Sequence, residues 1–330
     1  MRILLSRTDR IGDLVLSTPA IATVRASYPD AHLSIVTSEY NSVVMERNDD
    51  VDELIVMPPG SRPGAFGARL SDYDVAIALA PRAVDLQLVG ATRAPVRVGY
   101  TYERRLFARL TARFLVNRMM ISEADPDLCD RDPHRVVRHE VVQLLDLVAL
   151  AGAQRRVWDL RLDVIEADRA PARRLPADPI VLHLGRRWFA GGSTLEGTLA
   201  IVAGLAALAP VVITCARECE AVAPVFEASG NVASLLRWLP FHEWAAVLER
   251  GRVVVTVDTG ATHVASAVRR PTVVAFEHRY FRLNSQEWSP YRVPHVLVRK
   301  PARADGRSLE VFAEEIVAGV AGLLDGADRA

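Results

Sequence analysis

Short runs of β-branched residues alternate with longer helical patterns along the whole chain, and this alternation restricts the fold more than any other feature. Strands are predicted at residues 2–6, 32–37, 53–57, 75–79 and 96–98, with helices between them, notably at 19–27 and 135–151. Strands separated by helices in this way lie parallel, because each crossover returns the chain to the same end of the sheet. The stretch 155–179, RRVWDLRLDVIEADRAPARRLPADP, is charged, studded with proline and without the alternation, so it reads as a connector. The pattern then restarts. Strands are predicted at 180–184, 211–215, 232–234, 253–257 and 272–276, and helices at 197–209, 219–229, 241–249, 262–268 and 308–324. The expected architecture is α/β: two Rossmann-like, doubly wound parallel-sheet domains over residues 1–160 and 161–330. Ligands of such sheets bind beyond the carboxyl ends of the strands, which places the expected site in a cleft between the two halves.

A chain of 330 residues is too long for one ordinary core, and with 50% hydrophobic residues it can fill two. Lysine plus arginine and aspartate plus glutamate both number 40, so no global field recruits nucleic acid or an anionic membrane, and any anion site must be local. Lys300 is the only lysine, so a cationic clamp built elsewhere must be arginine, which forks onto phosphate or carboxylate oxygens. Cys129, Cys215 and Cys219 form no disulfide framework and no complete zinc set, and are expected to be reduced, buried thiols. The sequence shows no signal-peptide pattern and no apolar stretch long enough to span a bilayer, so the expected location is cytoplasmic, with contact at most on the inner face of a membrane.

The segment SRTDRIGDLVLSTPAI, residues 6–21, follows the first predicted strand. Thr18 is placed to cap a helix beginning at Pro19, which leaves TDRIGDL as the loop. Asp13 then stands just past a strand end. It either caps the turn after Gly12 or does chemistry. The segment RVVVTVDTGATHVASAV, residues 252–268, has the same form: an apolar strand, then Asp258, Thr259 and Gly260, then a helix start. Unpaired N–H groups at such a start make a seat for phosphate, with Thr259, Thr262 and His263 as further donors. A capped helix with a core histidine is the other reading. In LHLGRRWFAGGSTLEG, residues 182–197, Arg186 and Arg187 beside two glycines suit a diphosphate, or are solvated loop arginines.

Four stretches in order resemble glycosyltransferase family 9, the bacterial ADP-heptose:lipopolysaccharide heptosyltransferases. They are ILLSRTDRIGDLVLSTPAIATVRASYPDAHLSIVT at the start, VRVGY at 96–100, VVVTVDTGATHVASAVRRPTVVAF, and WSPY at 288–291. The resemblance implies a GT-B fold and an inverting, metal-independent transfer that needs no cofactor beyond the nucleotide-sugar donor. The first domain would hold the acceptor and the second the nucleotide sugar, with the last helix packing back on the first domain. It assigns Asp13 the role of general base and gives Thr8, Arg10, Gly12 and Arg62 to the acceptor side, where Arg82, Arg104 and Arg105 are also available. Arg186, Arg187, Glu218, Asp258, Thr259, Gly260, Thr262 and His263 fall to the donor. The family usually places a lysine in the loop after the first strand of the second domain. This chain has none there, and Arg187 or Arg186 is the candidate substitute, with Trp188 echoing the family's aromatic. Glu218 or Glu220 matches the acid that holds the ribose hydroxyls, or is a solvated glutamate at a helix start. The implied partners are ADP-heptose and a lipopolysaccharide-core acceptor. The alternatives are a different glycan or natural-product acceptor, and a nucleotide-sugar epimerase.

Overall fold

The computed structural model describes residues 1–132 and 134–327. The chain divides into two compact units, Met1–Leu162 and Asp163–Ala330, two residues from the boundary expected at 160. The first unit holds strands β1 (Arg2–Ser6), β2 (His32–Ser38), β3 (Glu53–Met57), β4 (Val75–Ala78), β5 (Val96–Tyr102) and β6 (Arg118–Ser122). Its helices are α1 (Ile11–Ser27), α2 (Pro63–Gly67), α3 (Ala83–Ala91), α4 (Leu106–Leu115), α5 (Pro126–Arg131) and α6 (Glu140–Ala149). The second unit holds β7 (Ile180–Leu184), β8 (Val211–Cys215), β9 (Ser234–Arg237), β10 (Val253–Val257), β11 (Thr272–Phe276) and β12 (His295–Arg299). Its helices are α7 (Leu195–Ala206), α8 (Ala223–Ala228), α9 (Phe241–Arg250), α10 (Gly260–Ala267), α11 (Phe281–Glu287) and α12 (Gly306–Ala327).

Each unit is a six-stranded parallel sheet, ordered β3-β2-β1-β4-β5-β6 in the first and β12-β11-β10-β7-β8-β9 in the second. Counted from each unit's own first strand, both orders read 3-2-1-4-5-6. The order therefore reverses between β1 and β4 in one unit and between β7 and β10 in the other, and the loops leaving those strands diverge to opposite faces. Central strands are buried on both sides, which is why VVVTV in β10 and VVITC in β8 read as unbroken apolar runs. One face of the second sheet closes over Ile201 and Leu205 of α7 and over Phe312, Ile316 and Val320 of α12. The close crossing of those helices depends on Gly204, where a Cβ would stand 2.6 Å from Val317 Cγ2. The helix α12 thus sits on α7 and on its own unit's sheet.

Three expectations are corrected. β6 and β12 were not expected; both are edge strands with half-exposed patterns, RMMIS and HVLVR, so neither carries a continuous apolar signal. The helix α1 begins at Ile11, eight residues before the expected Pro19. Pro19 is accommodated inside it: Thr18 caps nothing, and its hydroxyl donates to the Val15 carbonyl at 2.8 Å, a carbonyl that the proline cannot reach for want of an N–H. The connector 155–179 is also ordered. Its first part lies along α1, where Val157 N donates to Thr23 Oγ1 at 2.8 Å, Arg161 N donates to Thr18 Oγ1 at 2.9 Å, and the Arg161 guanidinium binds both Asp50 oxygens at 2.6 Å. Its later part is tied to α9 by a bidentate Arg169–Glu249 pair at 2.8 and 3.0 Å. The three cysteines are free and buried.

Candidate active site

In the first unit, the loop after β1 and the first turns of α1, α3 and α6 gather four carboxylates around one cation. Arg7 is buried, with its side chain 3% exposed. Its Nε donates to Asp9 Oδ1 at 2.9 Å, and its Nη1 donates to the Leu79 carbonyl and to Glu140 Oε1 at 3.1 Å. Tyr100 donates its hydroxyl to the same Glu140 oxygen at 2.9 Å. Asp85, at the start of α3, is buried and accepts from Ser6 Oγ at 2.6 Å, Thr8 N at 3.0 Å and Thr8 Oγ1 at 3.1 Å. Burial lifts the Asp85 carboxyl to about 6, against the pull of the Ser6 hydroxyl.

Asp13 differs from these neighbours. It occupies the third position of α1, its side chain is 20% exposed, and the nearest Arg7 nitrogen is 3.6 Å away, too far for a hydrogen bond. Among the described residues its carboxylate accepts no hydrogen bond, so it does not cap the turn after Gly12. Burial pushes the Asp13 carboxyl up to about 7; Arg7 opposes the shift, and the neighbouring Asp9 and Glu140 add to it. One cation faces three carboxylates, and of these Asp13 alone has no hydrogen-bonded partner among the described residues. A carboxyl poised near neutrality at the switch point of a doubly wound sheet is placed to exchange a proton with a bound hydroxyl.

The other first-unit candidates separate by role. Thr8 is buried and spends its N–H and hydroxyl on Asp85, so it positions the loop. Arg10 is exposed at the N-cap of α1, and Gly12 is buried beside Asp13. Arg62 is exposed at the start of α2, next to a cavity of about 440 Å³ lined by Ser38, Tyr40, Met57, Pro58 and Ser61. Arg104 is engaged by Asp127 at 3.1 Å and Asp125 at 3.5 Å on the surface. Sequence reasoning missed Arg7, Asp85 and Glu140. The signal was present: PRAVDL and RHEVVQLL each set one acid at the head of an otherwise apolar helix, as RIGDLVL does.

In the second unit the switch point brings together the loops after β7 and β10. Arg187 Nη1 donates to the Asp258 carbonyl oxygen and to Asp258 Oδ2, both at 2.6 Å, and Asn284 Nδ2 donates to the same carboxylate at 3.0 Å. The Arg187 side chain is 39% exposed, and its Nε and Nη2 have no partner among the described residues, so it still has donors to offer an anion. Of the two candidate arginines, Arg187 points at the switch point. Arg186 is exposed, and its backbone N–H donates to Glu218 Oε1 at 2.9 Å. Glu218 therefore fastens the loop with one oxygen while its side chain stays at the surface.

Thr259 is the N-cap of α10 and makes no side-chain cap bond; Thr262 N donates to the Thr259 carbonyl at 3.1 Å, and the N–H groups of Gly260 and Ala261 have no partner among the described residues. Thr262 and His263 are both buried, and Thr262 donates to the Val257 carbonyl at 3.3 Å. Thr262 therefore spends its hydroxyl on the backbone, and His263 lies buried in the same first turn. Trp188 is fully buried and donates its indole N–H to the His183 carbonyl at 2.8 Å, anchoring the loop in the core. Lys300, at the end of β12, is buried too. Its ammonium donates to the Arg187 carbonyl, to the Ala190 carbonyl at 3.1 Å and to Glu277 Oε1 at 2.9 Å. Burial pulls the Lys300 amine below its ordinary value. Gly191 makes this packing possible at φ +63°, because a Cβ there would overlap the Glu277 carboxylate.

Two six-stranded parallel sheets with flanking helices in a single chain are the architecture of the GT-B fold class. The solved structures agree. The chain resembles a glycosyltransferase family 9 protein from Veillonella parvula (TM-score 0.78, 19% identity, covering 98% of this chain and 97% of that one). It also resembles E. coli ADP-heptose lps heptosyltransferase II (TM-score 0.75, 17% identity, 99% and 100% covered). A third likeness is to E. coli heptosyltransferase WaaC with ADP-2-deoxy-2-fluoro heptose (TM-score 0.67, 19% identity, 99% and 100% covered). No curated protein sequence matches the chain. Residues 210–305 match the family model described as glycosyltransferase family 9 (heptosyltransferase). The family 9 match over residues 210–305 falls on the stretch whose motifs resemble that family, and the whole chain shares the fold of the family's solved structures.

Proposed function

We propose that the enzyme transfers a sugar, with inversion, from a nucleotide-diphosphate donor to a hydroxyl of a saccharide acceptor. ADP-heptose is the first-choice donor and the lipopolysaccharide core the first-choice acceptor. The observation that carries this reading is Asp13, a carboxyl near neutrality with no hydrogen-bond partner of its own at the switch point of the first sheet. The acceptor hydroxyl must lose its proton as it attacks the anomeric carbon, and Asp13 takes that proton. A general base of this kind contributes about 10²–10⁴-fold. As the bond to the leaving diphosphate breaks, negative charge grows on the phosphate. The open N–H groups at the start of α10 and the free face of Arg187 meet that charge. The choice of ADP-heptose is supported by the family match and by the donors named with the E. coli structures.

The direct test supplies ADP-heptose to the purified enzyme with several acceptors and measures ADP release and product. Transfer to a lipopolysaccharide core is expected. Heptose transfer confined to a small non-lipid acceptor removes the lipopolysaccharide version, and conversion of the nucleotide sugar without acceptor replaces the transferase reading with an epimerase.

Two results follow for the purified protein. In calorimetry, Arg187→Ala is expected to weaken ADP binding about ten- to a hundredfold, the size of one hydrogen bond to a charged group; an unchanged dissociation constant removes Arg187 from the donor site. The base acts when ionised, so kcat/KM should rise with pH through about 7 and then level off. A profile flat from pH 5 to pH 9 contradicts the assignment of Asp13.

A further inference from the structure

The helix α4, LFARLTARFL, has two apolar faces where a helix covering a sheet needs one. Its inner face is in place: Ala112 is buried, and Leu115 packs against Gly90 of α3. The other apolar residues point outward. Leu106 is 63% exposed, Phe107 86%, Leu110 55% and Phe114 88%. Leu106, Leu110 and Phe114 follow one another at single-turn spacing with Phe107 beside them, so they form one continuous strip. Arg105, Arg109 and Arg113 recur at the same spacing and line one side of it. Among the described residues none of these three arginines is paired with a carboxylate. Arg105 lies over the Tyr102 ring at 4.9 Å, and Arg109 donates to the Glu103 carbonyl at 3.0 Å. The chain has no net charge, so this strip is a local feature and not part of a generally basic surface.

We infer that α4 is a membrane-surface anchor that lays its outer aromatic strip into the interface of an anionic bilayer while Arg105, Arg109 and Arg113 bind lipid phosphates. An exposed apolar strip flanked by unpaired arginines is the pattern of a helix lying in the headgroup plane. No helix among the described residues is long and apolar enough to cross a membrane, so this contact is peripheral. A second copy of the chain is the less favoured occupant, because a two-fold contact through α4 would bring one row of arginines toward the other. The inference does not rest on the identity of the donor or acceptor.

The test is co-sedimentation of the full-length protein with vesicles of equal parts phosphatidylglycerol and phosphatidylcholine, and with phosphatidylcholine alone. Binding is expected to the anionic vesicles, to weaken as salt is raised, and to be much poorer on the neutral ones. The triple variant R105E/R109E/R113E should lower the partition coefficient about a hundredfold or more, at roughly fivefold per cation lost near an anionic surface. The variant F107S/F114S should bind as poorly, while melting at the wild-type temperature because both rings are exposed. Equal binding to both vesicles, or binding that neither variant lowers, overturns the inference. So does a concentration-dependent dimer that F107S/F114S dissociates while vesicle binding is absent.

Discussion

Replacing Asp13 by Asn is expected to cut turnover by about 10²–10⁴-fold while leaving the affinity for ADP unchanged. The amide keeps the shape of the side chain but cannot take a proton from the acceptor. The same variant should be more stable than the wild type above pH 7. Folding lifts the Asp13 carboxyl from its ordinary value of 3.8 to about 7, so the folded state holds the proton more tightly than the unfolded one. The stability this contributes is complete in acid and is lost as pH rises between those values. Asn does not titrate, so thermal melts of the two proteins should diverge across that interval, with the variant melting higher on the alkaline side. Turnover at the wild-type rate removes Asp13 from the mechanism, and a variant no more stable than the wild type at pH 8 contradicts the burial argument.

The second large effect is on folding. Arg7→Met leaves Asp9 and Glu140 buried without their cation, a loss expected to cost about 3–5 kcal/mol in urea denaturation at neutral pH. The penalty should shrink in acid, where the abandoned carboxylates take up protons. A change below about 1 kcal/mol means that water or a rearranged side chain already serves those acids. The contrast between the two variants separates the roles in the cluster: Arg7 holds the acids together, and Asp13 is the one left free to react.

Much of the fold was legible because central parallel strands announce themselves. The runs RILLS, IVLHL, VVITC, VVVTV and TVVAF coincide with β1, β7, β8, β10 and β11. What failed lay at edges and at one helix start. Edge strands alternate weakly because one side faces solvent. Pro19 and Thr18 together looked like a helix start, and nothing local shows that Thr18 would instead satisfy the carbonyl that Pro19 leaves open. Motif grammar located Asp13, Arg187 and Asp258, each just past a strand end. It did not find Arg7, Glu140 or Lys300, whose partners lie 133 residues away for Arg7 and Glu140, and 113 for Lys300 and Arg187. Such pairs exist only after the sheet has formed. For Thr262 and His263, a helix start read from sequence does not say which residues of its first turn face outward.

The walling-in of the sole lysine has a practical corollary. An acylating reagent can modify the Lys300 side chain only after the loop from Arg187 to Gly192 lifts off its ammonium, and no other side-chain amine in the protein competes for the label. The rate of that modification, followed by mass spectrometry with and without nucleotide, therefore clocks the opening of this loop.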